Sequence, residues 1–462
     1  MPVAPGALGT ELNKLIRLGS PVVAAQMAQM GMGVVDTIMA GRASAHDLAG
    51  VALGGNIIWP SMILLMGVLM ALTPTISRLH GAGRTAETGE VVRQGLWMAL
   101  VTSAAVLLLV SQAGTAYRLI GVDPEIIPLA EQYVRIASIG LPGVMLFNVF
   151  RYLCDGMGNT RPAMVVAFVA LGLKIFLNWV FVFGNLGMPA MGGIGCAWST
   201  AIVMWFECAA ILWVVSRPYY RQRTGLFQRF SWPDFKRIAD LLRLGVPIGL
   251  TAFFEIAAFS MVTLLVARLG ATAVAAQQIA FSINGVAFMI PLGLGMAASI
   301  RVGHELGAGR NDGARLAALV ALGASLGYAL LAAAALVLGR DAIVGLFTRD
   351  AGVAVLGAQL LLFVALYQIV DDAQATAIGG LRGYKDTRTP MIIALCGYWG
   401  VALPVGAGLG LGWFGIELGV YGFWIGLALG LTVVAIALVW RLLKLSRRPW
   451  DYPHTLASAA VR

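Results

Sequence analysis

A small set of ionisable residues lies inside long apolar segments of the chain, where a charge is expensive to hold. Such residues in membrane proteins mark ion pathways, proton relays or substrate sites. Because acids outnumber amines here, the expected chemistry is the binding and release of a cation. For one of these acids, Asp36, the alternative is that it lies near the end of its segment, where it caps Thr37 or pairs with Arg42. The residues are Asp36, Lys174, Glu207, Glu255 and the neighbours Asp371 and Asp372.

Glu255 and Asp371 are expected at similar depth in the second half of the chain. Counted along helices, they lie roughly 21 Å and 15 Å from the same end of their segments. Two carboxylates held close together at low dielectric cannot both ionise cheaply, so this pair is predicted to bind H⁺ or to share Na⁺. The alternative is two unrelated acids, each bound to hydroxyl groups or water. Asp372 lies roughly 100° further around a helix, so it is not expected to share the site.

Lys174 is an amine within an apolar segment, and a buried ammonium needs a partner. Asn178 follows it by four residues and shares its helix face. Asp36 in the same half is the expected partner, and Glu207 on the neighbouring segment is the rival. A structural ion pair and a role in ion coupling are both compatible with this pattern. Glu207 itself is expected to be a structural or pairing residue.

The composition places these residues in lipid. Hydrophobic residues make up 59% of the 462 and charged residues 12%, half of the share of about 25% that is usual in soluble domains. A soluble enzyme, a disordered chain and a secreted disulfide scaffold are therefore excluded. Apolar runs of roughly 20–30 residues predict an all-α integral membrane protein with twelve transmembrane helices. The predicted spans are 16–40, 49–77, 94–116, 126–150, 162–184, 193–216, 241–267, 273–300, 314–339, 352–380, 390–412 and 417–441.

Basic residues fall mainly on one side of these spans. With both termini and every second loop on that side, it holds roughly 25 of the 32 Lys and Arg residues, as the cytoplasmic side of an inner-membrane protein does. The longest polar stretch, 217–240, is predicted to be a cytoplasmic basic linker rather than a nucleic-acid site. It separates a bundle at 1–216 from a second bundle at 241–445, and a cytoplasmic tail is predicted at 446–462.

The chain repeats itself at an offset of about 226 residues. An even number of spans per half gives both halves the same orientation, as in transporters built from parallel repeats. We therefore predict two pseudo-symmetric six-helix bundles that rock about a central cavity. The repeated motifs are RLGSP at 17–21 and RLGVP at 243–247, LHGAGR at 79–84 and ELGAGR at 305–310, and GMGNTR at 156–161 and GYKDTR at 383–388.

The sequence does not indicate an enzyme. None of the four His residues lies in a predicted span, and no phosphate loop or Ser-His-Asp arrangement is visible. The four Cys residues are widely spaced, which is not typical of a disulfide framework or a metal site. We predict no enzymatic activity, no cofactor beyond a coupling ion and no nucleic-acid partner.

Five stretches resemble the NorM branch of the multidrug and toxic compound extrusion (MATE) transporters. They are MGVVDTIMAGRASAHDLAGVALG at 32–54, GVPIGLTAFFE at 245–255, IRVGHELGAG at 300–309, YQIVDDAQA at 367–375 and LRGYKDTRTPM at 381–391. The resemblance implies twelve helices in two six-helix bundles. It also implies export of cationic, lipophilic compounds in exchange for H⁺ or Na⁺.

The resemblance also assigns roles to residues. The family's membrane acids match Asp36, Glu255 and Asp371, and Asn178 matches a family Asn near the first acid. Lys174 stands where NorM-type members have Asn. An ammonium there would repel Na⁺, so our hypothesis is that Lys174 pairs with Asp36 and is released when Asp36 is protonated, which biases coupling toward H⁺.

Two more positions depart from the family pattern. Gln277 stands in AQQIA where related members have His, and Phe288 stands where some members have a Tyr that faces the cation. The resemblance implies that Gln278 and Phe288, together with Lys174, Asn178 and Asp372, support the site or bind substrate.

These observations predict a monomeric bacterial inner-membrane antiporter that exports organic cations by alternating access. H⁺ is the preferred coupling ion, and Na⁺ is the alternative. A lipid or polysaccharide-precursor flippase of similar fold is the rival function, but it would need a cationic cavity, and the predicted interior holds one Lys against five acids. A membrane-bound transferase would need a larger polar loop than this chain has.

Overall fold

Twelve long helices build the protein in a computed structural model that describes residues 7–120, 123–413, 415 and 417–448. All twelve are long and apolar enough to cross a membrane, which confirms the predicted fold class. They are α1 Ala7–Ala43, α2 Ala45–Gly81, α3 Thr85–Leu119, α4 Ile127–Gly156, α5 Arg161–Phe183, α6 Gly193–Val215, α7 Phe235–Leu269, α8 Ala271–Gly307, α9 Asn311–Gly345, α10 Ala351–Gly383, α11 Arg388–Gly410 and α12 Val420–Ser446.

The helices form two bundles of six, each with its own apolar core. In the first bundle, α5 packs against α1 and α6, and α4 packs against α3 and α6. In the second bundle, α10 packs against α8, α9 and α12. The core of the second bundle contains the fully buried rings of Tyr367, Tyr398 and Trp424. A central position for α10 explains why its acids are enclosed by protein on all sides.

Local signals set several helix ends. The Asp234 carboxylate precedes α7 and accepts hydrogen bonds from the backbone N–H groups of Lys236 and Arg237 at 3.0 and 3.2 Å. Such a cap satisfies backbone donors that have no partner inside the helix. The helix α5 ends at Gly184, whose φ of +74° is a conformation that glycine adopts without strain.

Several helices extend beyond the predicted spans. The span predicted to end at residue 150 continues to Gly156, and residues 235–240 of the predicted linker are the first turns of α7. The prediction stopped each span at its first charges, although a helix continues wherever those charges find partners. Arg151 and Arg382, assigned to loops from the sequence, therefore lie in helices, and Arg151 is only 6% exposed. The interior thus holds more positive charge than the single predicted Lys.

The linker is fixed to the first bundle. It contains a short helix, Pro218–Thr224, followed by residues that lie against α3. The Arg93 guanidinium donates to the carbonyl oxygens of Gly225 and Leu226 at 3.1 and 2.9 Å, and the Ser231 hydroxyl donates to Glu90 at 2.8 Å. Of the predicted tail, residues 449–462 lie outside the described residues.

The two bundles meet at the face that carries the linker, called the linker face below and marked by the helix ends Gly81, Gly156, Gly307 and Gly383. There α2 packs against α7 and α8, and α1 packs against α8. In the described part of the chain, the side-chain hydrogen bonds and ion pairs found between the bundles lie in this half of the molecule. They join Glu11 to Arg301 at 2.6 Å, His304 to the Gly156 carbonyl at 2.8 Å, Arg78 to the Gly383 carbonyl at 3.0 Å and Arg382 to the Met70 sulfur at 3.4 Å.

Glycines allow the bundles to approach this closely. A Cβ atom on Gly67 of α2 would lie 2.5 Å from the Cα atom of Gly249 on α7. A backbone atom cannot move aside as a flexible side chain can, so any larger residue here separates the helices. The closed linker face therefore depends on small residues at this crossing.

The substitution Gly67→Val is expected to force the bundles apart at the linker face, at a cost of about 1–3 kcal/mol to this conformation. The measurement is the distance between spin labels attached through Asn13→Cys and Asp312→Cys, two exposed positions on opposite bundles. The mean distance should lengthen in Gly67→Val. It should not change in the matched control Gly172→Val, because a Cβ at Gly172 meets no atom within 4 Å. Equal distances in both variants would contradict this account of the interface.

Candidate functional site

Helices α1, α5 and α6 of the first bundle bring Asp36 and Lys174 together. Asp36 lies on α1 and Lys174 on α5, and both side chains are buried. The Lys174 ammonium lies 2.9 Å from Oδ1 of Asp36. Of the two partners considered for Lys174, the structure thus selects Asp36 over Glu207.

The Lys174 ammonium is surrounded by oxygen atoms. Besides Asp36, it contacts the hydroxyl groups of Ser199 and Thr200 at 2.9 and 2.5 Å and the carbonyl oxygen of Cys196 at 3.2 Å, all on α6. An ammonium has three protons to donate, and four oxygens lie within reach. Hydroxyl, carbonyl and carboxylate oxygens are also the ligands that hard cations prefer. The Lys174 ammonium is thus held by the types of oxygen that also bind hard cations.

Asn178 fixes the orientation of the Asp36 carboxylate. Its amide donates to Oδ1 of Asp36 at 2.7 Å, and its own oxygen accepts a hydrogen bond from the Ser199 hydroxyl. The Thr200 hydroxyl lies 3.5 Å from the other carboxylate oxygen. Because Lys174 and Asn178 are four residues apart on α5, they contact the same carboxylate from one helix face.

A cavity of about 250 Å³ extends from this ion pair into the first bundle. Glu207 lies in its wall and accepts a hydrogen bond from the Gln29 amide at 2.6 Å. Arg151 lies in the same wall, 3.6 Å from the carboxylate of Asp155. The lining also includes polar side chains and several apolar and aromatic ones, among them Met32, Met62, Met66, Met204, Trp59 and Phe147.

In the second bundle, Asp371 on α10 and Glu255 on α7 interact electrostatically. Asp371 is 2% exposed, whereas Glu255 is partly exposed. Tyr398 lies beside Glu255, and Asn284 lies beside Asp371. The two acids that the depth argument paired thus lie within electrostatic range of each other.

Several buried oxygens around these acids lack a hydrogen-bond partner. They are Oδ1 of Asp371, Oδ1 of Asn284 and the hydroxyl of Tyr367. An unpaired buried polar atom is unfavourable, so such a cluster indicates room for a proton, water or a cation. In the described residues no group of three or more His, Cys, Asp or Glu could hold a metal ion, so a cation here would rely on neutral oxygens as well.

Asp372 lies on a different side of α10 from Asp371. Its carboxylate accepts a hydrogen bond from the Gln368 amide at 2.5 Å, and its backbone carbonyl accepts one from Ser325 of α9 at 3.0 Å. Its second carboxylate oxygen is buried without a partner. The predicted rotation of about 100° between neighbouring residues on a helix accounts for this separation.

The structure does not bring Gln278 or Phe288 into either acid cluster. The Gln278 side chain is exposed, and Phe288 is partly exposed at a break in α8. Gln277 is the buried residue of the pair, and its amide donates to the Thr263 hydroxyl at 3.0 Å. Helix phase separates two consecutive residues in this way, and the motif alone does not reveal which one faces inward.

Sequence reasoning missed several neighbours of these acids. Ser199 and Thr200 are small polar residues within an apolar span, a signal that was available but unspecific. Arg151 was placed in a loop. Tyr398 and Asn284 gave no signal, because an isolated Tyr or Asn in a span is common.

Comparison with known proteins matches the chain to the MatE family model at residues 21–180 and 247–407. It is 43% identical to the multidrug resistance protein PmpM of Pseudomonas aeruginosa, over 97% of this chain and 94% of that protein. It is 40% identical to the multidrug resistance protein NorM of Aliivibrio fischeri, over 95% of this chain and 96% of that protein.

Solved structures of similar fold include the eukaryotic MATE transporter AtDTX14, with a TM-score of 0.86 at 21% identity over 95% of this chain and 98% of that one. The Vibrio cholerae MATE transporter VcmN in its bent form has a TM-score of 0.85 at 19% identity, over 96% of this chain and 98% of that one. The two regions matched by the family model begin about 226 residues apart, the offset of the internal repeat.

The Asp36–Lys174 ion pair leads us to expect a specific pattern in the free energies of unfolding of single and double variants. Asp36→Asn leaves a buried ammonium without its counter-charge and should lower the free energy of unfolding by about 3–5 kcal/mol. Lys174→Met leaves a buried carboxylate and should destabilise the protein to a similar degree. The double variant removes both charges and should recover most of the loss.

Denaturant unfolding of the purified protein in detergent measures this cycle. Glu207→Gln is the matched control, because the partner of Glu207 is the neutral Gln29 and its replacement leaves no unpaired charge. Losses that simply add in the double variant would contradict the pairing of Asp36 with Lys174.

Proposed function

The chain belongs to the MATE family of multidrug efflux transporters, and we propose that it exports organic cations in exchange for protons by alternating access. The observation that carries the proposal is the buried Asp36–Lys174 pair with its shell of oxygens. It works as a monomer in the bacterial cytoplasmic membrane, with both termini and the linker face in the cytoplasm. The excess of Lys and Arg on that side supports this orientation.

The closed linker face supports the alternating-access part of the proposal. With the bundles joined there by Glu11–Arg301 and His304–Gly156, access to the interior comes from the opposite face. Asp36 lines both the cavity of the first bundle and a second pocket of about 390 Å³ together with Asn56, Trp59 and Tyr133. In this outward-facing state, a proton can reach Asp36 through that second pocket.

The position of Lys174 favours H⁺ over Na⁺ at Asp36. A sodium ion would have to displace a covalently tethered ammonium from four oxygen contacts, whereas a proton needs only the carboxylate itself. When a proton binds Asp36, the ion pair loses its negative charge and Lys174 loses its main electrostatic partner. The ammonium can then shift within the oxygens of α6, which loosens the contact between α1 and α5.

Substrate binding follows from the same charge balance. The methionines and aromatic rings that line the cavity of the first bundle, together with nearby negative charge, would stabilise a bound lipophilic cation. Glu207 and an ionised Asp36 supply that charge against the positive charges of Lys174 and Arg151, and protonation of Asp36 makes the cavity more positive by one charge. Proton and drug therefore compete, so protonation from outside releases the drug.

Glu255 and Asp371 form the second coupling site of the proposal. Their unpaired oxygen neighbours would accept either a proton shared between the two acids or a sodium ion held by Asp371, Asn284 and Tyr367. H⁺ is the preferred ion at this pair, since two buried acids that interact electrostatically cannot both ionise cheaply. Na⁺ at this site is the alternative that transport measurements distinguish.

Transport in proteoliposomes tests the coupling ion. We expect an imposed pH gradient, without Na⁺, to drive uptake of tetraphenylphosphonium by the wild-type protein, and Asp36→Asn to abolish it while the protein still inserts. Lys174→Ala should lower pH-driven transport by at least about tenfold, because the buried carboxylate then lacks its resident cation. The role given to Lys174 would be overturned if Lys174→Ala, driven by a sodium gradient alone, transports as fast as the wild-type protein.

Variants at two neighbouring residues of α10 test the proposed coupling site of the second bundle. Asp371→Asn should abolish export, because the acid pair with Glu255 is lost. Asp372→Asn is the matched control, since it changes the next residue on a different side of the same helix and should keep at least about half of the activity. Resistance to toxic organic cations in a pump-deficient strain provides the readout, with membrane content checked by immunoblot. Wild-type resistance in Asp371→Asn would contradict this site.

A further inference from the structure

A pocket of about 550 Å³ lies at the linker face, where α1 and α5 meet the end of α8. It is called the basic pocket below. Four of its lining residues carry a positive charge: Lys14, Arg17, Arg161 and Arg301. The remaining lining residues of the described chain are neutral or His: Leu18, Met157, Gly158, Asn159, Thr160, Tyr219 and His304. Such a pocket favours an anion.

Two of the four cations are without a counter-charge. Arg301 is bound in a bidentate manner by Glu11 at 2.6 and 3.0 Å and also donates to Glu305 at 2.5 Å. Lys14 lies 3.2 Å from the Glu11 carboxylate. Within the described part of the chain, Arg17 and Arg161 have no ion pair, and both are exposed. Two uncompensated guanidinium groups therefore converge on one cavity. A guanidinium matches the geometry of a phosphate through paired N–H donors.

Backbone groups add to this positive potential. The 23-residue helix α5 begins at Arg161 in the pocket wall, with its N-terminal N–H groups at that end. Thr160 stands at the cap position, but its hydroxyl donates to the Leu18 carbonyl at 2.9 Å instead of capping the helix. No side chain therefore caps the first turn of α5, in which Arg161 at the pocket wall has a backbone N–H group and Pro162 has none.

The internal repeat shows that the fold does not require this charge pattern. At the corresponding positions of the second repeat, Asp240 replaces Lys14 and Asp386 replaces Asn159, while Arg243 and Arg388 replace the two arginines. Asp240 lies 3.3 Å from Arg243, and Asp386 lies 2.8 Å from Arg441. Arg243 thus has an acid as an ion-pair partner, whereas its counterpart Arg17 has none among the described residues. Asp386 pairs with Arg441 of α12 and does not neutralise Arg388.

The surroundings of the pocket indicate a lipid rather than a free anion. Val165 and Phe168 follow Arg161 along one face of α5, and both are more than half exposed. Ile16 beside Arg17 on α1 is 50% exposed. A head group held by the two arginines would place its acyl chains along these apolar surfaces, at the depth where the helices enter the bilayer.

We propose that the basic pocket binds the phosphate of an anionic phospholipid and holds the two bundles together at the linker face. Lys14, Arg17 and Arg161 belong to the first bundle, whereas Arg301 and His304 belong to the second. A ligand that contacts both bundles favours the state in which they are joined. Anionic lipid thereby increases the outward-facing population. This inference does not depend on which ion drives transport.

The test is lipid retention by the purified full-length protein, measured by native mass spectrometry after exchange into mixed micelles of phosphatidylglycerol and phosphatidylcholine. We expect selective retention of phosphatidylglycerol by the wild type. The double variant Arg17→Gln/Arg161→Gln should lower that retention by about tenfold or more, since two cations are lost. The matched control Arg243→Gln/Arg388→Gln removes the same charge from the corresponding positions of the second repeat and should retain the lipid.

A second measurement, the spin-label distance, reports the conformation and distinguishes a lipid phosphate from free inorganic phosphate. The spin-label distance across the linker face should be shorter in nanodiscs that contain phosphatidylglycerol than in pure phosphatidylcholine, and Arg17→Gln/Arg161→Gln should abolish the difference. The proposal is overturned if both double variants lose lipid equally, which would indicate unspecific surface charge. It is also overturned if inorganic phosphate alone shortens the distance in detergent, which would assign the pocket to a free anion.

Discussion

A charge buried within a lipid-embedded bundle must have a partner, and the first bundle is organised around one such pair. The Asp36 carboxylate and the Lys174 ammonium lie 2.9 Å apart, and the polar side chains of α5 and α6 around them serve this contact. Three helices are thus held together by groups that would each be unstable alone. A proton that reaches the carboxylate changes the charge of the whole cluster. In the proposed mechanism, the same constraint that stabilises the bundle also makes it responsive to protons.

The two bundles satisfy this constraint differently. In the first, a tethered ammonium fills the position of a cation, so the oxygen ligands are already occupied. In the second, Asp371, Asn284 and Tyr367 keep buried oxygens without partners, so the site is ready to receive a charge from outside. The two repeats thus share one fold but differ in the groups that surround their buried acids. The repeats also differ at the linker face, where Asp240 pairs with Arg243 of the second repeat and no acid of the described residues pairs with Arg17 of the first.

The fold and the acid positions could be predicted from the sequence because lipid imposes strict rules. Apolar runs fixed the number of spans, and charges within them were few enough to examine individually. Depth along the helices was sufficient to expect the electrostatic interaction between Glu255 and Asp371. The rule that ends a span at its first charge failed for Arg151, because that residue finds Asp155 one turn further along the helix.

Facts that depend on helix rotation and tertiary packing could not be predicted. The burial of Gln277 rather than Gln278 depends on the phase of α8, which two adjacent glutamines do not reveal. The contacts of Tyr398 and Asn284 with the acids depend on how α11 and α8 pack against α7 and α10. The inter-bundle bond between Arg301 and Glu11 joins residues 290 positions apart, and sequence spacing carries no information about it.

Competition between a proton and an organic cation for Asp36 is the central claim, and the pH dependence of substrate affinity tests it most directly. The binding of tetraphenylphosphonium to the purified protein in detergent is measured over a series of pH values. The account predicts that the affinity falls as the pH falls and that this dependence is lost in Asp36→Asn. An affinity that does not change with pH, or that changes equally in Asp36→Asn, would contradict it.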